Sequence, residues 1–111
     1  RKIIMSATIE MVSFKLASGS DEQAFLATNA ALESWVAQQP GFQYRALTKQ
    51  PDNTWIDIVF WCSLEDAQQA GNAFMSAQEP KAMLAFIDKE TVNMQHLPVL
   101  AARACTEIEA A

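Results

Sequence analysis

Between residues 55 and 61 nearly every position is aromatic or β-branched, Asp57 is the only charge, and past Ser63 the pattern shifts from strand-like to helical spacing. This predicts a strand covered on both faces that runs into a helix. Ser63 stands where a hydroxyl accepts a backbone N–H of the first turn, and Asp66, three residues on, stands where a side chain reciprocates. The stretch 54–67 is therefore a strand-to-helix junction against which the rest of the chain can be placed. Upstream, residues 9–16 alternate imperfectly, with Glu10, Val12, Phe14 and Leu16 on one face and Ile9, Met11, Ser13 and Lys15 on the other, and predict a first strand. Ser18-Gly19-Ser20 is turn chemistry, and Ser20 with Gln23 forms a capping box. Phe25, Thr28, Leu32, Trp35 and Val36 then follow the i, i+3/i+4 spacing of one helix to about residue 39, stopped by Pro40-Gly41.

Residues 42–49 read as a second strand, with Phe42, Tyr44 and Ala46 opposite Gln43, Arg45 and Leu47. The turn formers at 50–53 predict a hairpin that pairs this strand antiparallel with 55–61. After Ser63 the expected buried stripe is Leu64, Ala67, Gly71, Phe74 and Met75. Glu79-Pro80 opens a short helix carrying Met83, Phe86 and Ile87, and Asp88-Lys89-Glu90 reads as a solvated turn. Residues 91–97 form the last strand, ended by Pro98, and the Ala-rich tail 101–111 is a short helix or frayed.

The order strand, helix, strand, strand, helix, strand is solved most simply by two helices on one face of a four-stranded antiparallel sheet of order 4-1-3-2. That is an α+β, ferredoxin-like βαββαβ sandwich, expected as one domain over 5–100 with a tail at 101–111. The second sheet face also looks apolar, with Ile56, Ile58, Phe60 and Cys62 on one side of the third strand and Trp55, Val59 and Trp61 on the other. A bare apolar face predicts packing on a second copy, hence a homodimer.

Composition narrows the function classes. A chain of 111 residues with 50% hydrophobic content suits one core, while a net charge of −5 and no Lys/Arg cluster argue against nucleic acid and anionic membrane surfaces. The apolar runs are far shorter than the roughly 20 residues of a membrane helix. With no apolar leader in evidence, the expectation is a cytoplasmic protein. The chain begins Arg1-Lys2, which leaves Met5 open as a natural start. Cys62 and Cys105 make neither a disulfide framework nor a metal-ligand pattern, and both are expected to be thiols.

Three features coincide: Gln39-Pro40-Gly41-Phe42 opening the second strand, Trp55-x-Asp57-x-Val59-x-Trp61-x-Ser63 running into Ala67, and Val92-x-Met94-x-His96 closing the sheet. Together they resemble the antibiotic biosynthesis monooxygenase-like family of dimeric α+β barrel proteins, over residues 10–99. The first two elements are mainly fold markers. The resemblance implies a fold shared by cofactor-free oxygenases of aromatic polyketides, quinol oxygenases, haem-degrading enzymes and many uncharacterised small proteins, the last being the group this chain looks most like. Haem-degrading relatives carry an axial His on the second helix, and no His occurs from residue 64 to 86. A single His with two distant Cys also gives no zinc or non-haem iron site, so no cofactor or metal is expected.

In the predicted sheet Trp61 and His96 lie two strand spacings apart, on the order of 10 Å, with Glu10 between them. A one-residue slip in register would turn one of the three to the other face. His96 is the candidate general base toward a phenol or an enolisable carbon, set against a half-buried strand residue bonded to backbone or carboxylate. In cofactor-free oxygenases of the family the deprotonated substrate itself supplies electrons to O2, so a base in an apolar pocket would suffice. Trp61 is the candidate stacking wall, although Trp35, Trp55 and Trp61 all have the spacing of core residues. Asp57 pairs with His96 or Arg45, or faces solvent near the hairpin. Tyr44 offers a phenol donor, and Asn29 a carboxamide directed either at the cavity or at the surface. Five Met residues suit an adaptable apolar lining or plain core filler. The expectation is a cofactor-independent monooxygenase of a small, flat, hydrophobic phenolic or quinone-like molecule, or a non-catalytic homodimeric ligand-binding or assembly module of the same fold.

Overall fold

A computed structural model describes residues 7–104. The chain forms β1 (Thr8–Leu16), α1 (Glu22–Ala27), α2 (Asn29–Ala37), β2 (Phe42–Lys49), β3 (Trp55–Trp61), α3 (Leu64–Phe74), α4 (Lys81–Leu84) and β4 (Ile87–Pro98). The four strands make one antiparallel sheet in the order β2-β3-β1-β4, the ferredoxin-like arrangement. Cross-strand partners share a face, so Glu10 lies beside Val59 and His96, and Val12 beside Asp57 and Met94. This face carries the core. Phe25 is fully buried and meets Phe14, Trp55 and Phe86 edge-on, joining α1 to the sheet. Burying one such ring stabilises the fold by about 1.5–3 kcal/mol.

The first helical stretch is two helices, not one. Asp21, rather than Ser20, caps α1 by accepting from the Gln23 backbone N–H at 3.1 Å. Thr28 closes it: its hydroxyl donates to the Phe25 carbonyl at 2.6 Å, and its N–H donates to the same oxygen at 3.0 Å. This local bonding competes with the helical i−4 pattern and breaks the helix before Asn29. The stripe of α3 is also shifted. Ala67 and Ala70 are buried, whereas Leu64 and Met75 are 44% and 81% exposed, because the helix presents its small residues to the sheet. Ser63 caps α3 by accepting from the Asp66 N–H at 3.0 Å.

Two irregularities decide which side chains face the core. In β2, Phe42 pairs with Trp61 but Tyr44 pairs with Phe60, so Gln43 is an extra residue. Arg45 and Leu47 therefore share the core face with Phe42, while Tyr44 and Ala46 point the other way, which reverses the expected alternation. In β4 the strand starts at Ile87, not residue 91. Asp88-Lys89-Glu90 keeps its turn chemistry, with Asp88 Oδ1 accepting from the Glu90 N–H at 3.1 Å, but as an irregularity inside a paired strand.

The other sheet face carries Ile9 and Met11 of β1, Ile56, Ile58 and Phe60 of β3, and Leu97 of β4. The buried cluster draws none of its strand residues from this face. Among the described residues no helix is long and apolar enough to cross a membrane. Residues 101–104 have no regular structure; the rest of the Ala-rich tail, Cys105 and Met5 lie outside the described residues.

Candidate functional site

Between the sheet and α2, α3 and α4 lies a cavity of about 390 Å³, within the size range of small-molecule sites. Its wall is apolar over most of its extent. Trp35 and Phe74 meet edge-on at 5.7 Å on the helix side, and Met75, Met83 and Met94 add thioether surface. The charged residues on the wall are Glu10, Arg45, Asp57 and Lys89.

Glu10 points inward because the period-two face of β1 places it with Val12 and Phe14. Its Oε1 accepts from Trp61 Nε1 at 2.9 Å, and Trp61 itself is almost wholly buried. Burial pushes the Glu10 carboxyl above its ordinary value; the Trp61 bond and the nearby His96 pull it down less, and Asp57 adds a smaller upward push.

Beside it lies a buried ion pair. Arg45 donates from Nε to Asp57 Oδ1 at 3.0 Å and from Nη2 to Asp57 Oδ2 at 2.8 Å, the bidentate geometry guanidinium groups favour. Arg45 Nη1 donates to Asn29 Oδ1 at 2.8 Å and lies 3.9 Å from Glu33, whose Oε1 also accepts from Asn29 Nδ2. The Arg45 side chain is only 3% exposed. Burial pushes Asp57 upward, and the two bonds from Arg45 oppose that push.

The structure thus brings Glu10, Trp61 and Asp57 together on one wall. His96 lies across β1 from the sheet neighbours of Trp61, as Glu10's partner on β4; it is half-buried and is not among the lining residues. Of the two charged partners open to Asp57, the one it takes is Arg45. Asn29 reaches the wall only through Arg45. Tyr44 is on the outer face, 47% exposed, with its ring against Phe60, because of the extra residue at Gln43. That same irregularity is why Arg45 was not foreseen on the cavity wall: simple alternation puts it opposite Phe42. Among the described residues no group of three His, Cys, Asp or Glu is arranged to hold a metal ion. Cys62, on the outer side, accepts from Gln43 Nε2 at 3.6 Å.

No family model matches the chain, and no curated protein matches it significantly in sequence. Solved structures do match. A variant of SnoaB, a cofactor-independent oxygenase from Streptomyces nogalater, superposes with a TM-score of 0.67 at 19% identity, covering 93% of this chain and 99% of that one. A candidate antibiotic biosynthesis monooxygenase from Caulobacter crescentus gives 0.68 at 14% identity over 89% and 94%. A protein of unknown function from Nitrosomonas europaea gives 0.67 at 17% over 92% and 97%. With the strand order and register described above, these likenesses establish that the chain has the ferredoxin-like fold of the structures described as antibiotic biosynthesis monooxygenases.

Proposed function

We propose that this protein is a cofactor-independent monooxygenase of a small, flat, hydrophobic phenolic or quinone-like molecule bound in the cavity. The observation that carries this reading is Glu10, a carboxylate on an apolar wall, held through one oxygen by Trp61 and raised in proton affinity by burial. A base of raised pKa on the wall of an apolar cavity suits proton removal from a phenol or an activated ring carbon. The resulting anion supplies electrons to O2. One oxygen atom enters the substrate as a carbonyl and the other leaves as water with two hydrogens from the substrate, both from the oxidised carbon of an anthrone-type CH2, or one from the ring carbon and one from the hydroxyl of a phenol.

In this reading Glu10 takes the place first expected of His96, and His96, its cross-strand partner, passes the proton toward solvent. Trp61 orients the carboxylate and Trp35 stacks on the ring. Asp57 and Asn29 hold Arg45 rigid behind the ligand, and Tyr44 has no part in the reaction. The SnoaB likeness supports the reaction class through fold alone.

Oxygen uptake with a panel of hydroquinones and anthrones tests the reading. Wild type is expected to turn over at least one of them, Glu10→Gln to lose on the order of 10²-fold or more in kcat, and His96→Ala to lose less. Equal rates in wild type and Glu10→Gln would remove Glu10 from the mechanism. The absence of His96 from the cavity wall favours a second reading, a non-catalytic binding module; ligand binding without oxygen uptake by wild type would select it.

A further inference from the structure

The charges around the cavity are matched unevenly. Val59 stands between Glu10 on β1 and Arg45 on β2 in one row across the sheet, and Asp57 is two residues along β3. His96 is Glu10's cross-strand partner at one end of this row but is not among the lining residues, and Arg45 at the other end commits Nε, Nη1 and Nη2 to Asp57 and Asn29 with a side chain only 3% exposed, so it has little to offer a ligand. Lys89 sits on β4 and is exposed, where water solvates its charge. Glu10 is left without a cation at ion-pair distance among the described residues, and only one of its oxygens is bonded, to Trp61. A ligand reaching this end of the cavity therefore meets a carboxylate with an open acceptor oxygen, while the cationic donors nearby are off the lining or mostly engaged.

We infer that the cavity selects flat aromatic ligands whose polar end donates a hydrogen bond and carries no negative charge, such as a hydroxyl or an ammonium group, and that it rejects carboxylated molecules of the same ring. A second carboxylate facing Glu10 in a desolvated site repels it, and like charges placed together at a buried contact are strongly disfavoured. An O–H or N–H group instead fills the open lone pairs of Glu10. The inference rests on the oxygenase reading only in taking this cavity as the ligand site.

Calorimetric titration without oxygen, at pH 7.5, compares three probes on one ring system: 2-naphthol, 2-naphthylmethylamine and 2-naphthoate. Naphthol and the amine are expected to bind at least about tenfold more tightly than naphthoate, a difference of roughly 1.4 kcal/mol. Glu10→Gln keeps an acceptor for Trp61 while removing the charge, and is expected to cut the amine-to-naphthoate ratio by about tenfold or more. Naphthoate binding as well as the others, a ratio unchanged in Glu10→Gln, or no binding of any probe at millimolar concentration would each overturn the inference. The oxygenase reading fails separately. The expected ranking without oxygen uptake by any phenol overturns that reading alone, whereas turnover of carboxylated and plain phenols with equal kcat/KM overturns the selectivity alone.

Discussion

Ionising Glu10 inside an apolar cavity works against the fold. Its pKa in the folded chain is raised above the ordinary 4.5, so the native state holds this proton more tightly than the unfolded chain does. The stabilisation is fully present below pH 4.5 and is lost as pH rises through the folded value. Asp57, raised for the same reason, adds a loss of the same sign. Glu10→Gln is therefore expected to raise the melting temperature at pH 7.5 and change it little at pH 4, as scanning calorimetry at the two values would show. The groups facing Glu10, His96 on β4 and Asp57 on β3, are unchanged in that variant. Arg45 behaves oppositely. Arg45→Met would leave Asp57 buried without its cation, and a loss of about 3–5 kcal/mol in denaturant unfolding is expected, largely recovered in the Arg45→Met, Asp57→Leu double variant. At this scale strand order alone brings Glu10 near both Trp61, whose indole N–H it accepts from, and His96, its cross-strand partner, but which of the three would line the cavity depended on register, and His96 is not among the lining residues. The sequence could not place Arg45 or Tyr44, whose faces depend on an extra residue that leaves no compositional mark.

Elements were legible where local chemistry and periodicity agree. The β2–β3 hairpin and the Ser63 cap lie where turn residues and strand patterning coincide. Disagreement arose where a single side chain overrides the pattern: Thr28 divides a stripe that looks continuous, and the Ala residues of α3 draw the helix face away from Leu64 and Met75. Gly41 ties two of these elements together. It has φ near 83°, its carbonyl accepts from the Cys62 N–H at 2.8 Å, and a Cβ there would overlap the Asp66 carboxyl group at the start of α3. Gly41→Ala is expected to cost about 1–3 kcal/mol, combining left-handed strain with displacement of Asp66, and to lower the urea midpoint accordingly.

At the scale of the whole molecule, the helices cover one side of the sheet and leave Ile9, Met11, Ile56, Ile58 and Phe60 on the other. Five large apolar side chains on one uncovered face are best satisfied by a second copy related by two-fold symmetry. Light scattering after size exclusion is expected to give twice the 12.3 kDa chain mass, and Ile58→Lys, placing a charge amid that face, to give the monomer. A wild-type monomer at micromolar concentration would contradict this argument.

The extra residue in β2 also governs how this strand can be matched to others. A strand has a reading frame of two, and Gln43 is a one-letter insertion that the sheet absorbs without moving the pairing of Tyr44 onward with β3. Deleting Gln43 should leave Arg45 in the cavity and Tyr44 outside, whereas deleting a residue within 46–48 must either shift the hairpin or exchange the two faces. A residue-by-residue match between this chain and any protein whose second strand lacks the extra residue must therefore allow a one-residue gap at 43. Without it, the ion-pair arginine is read against an outward-facing position.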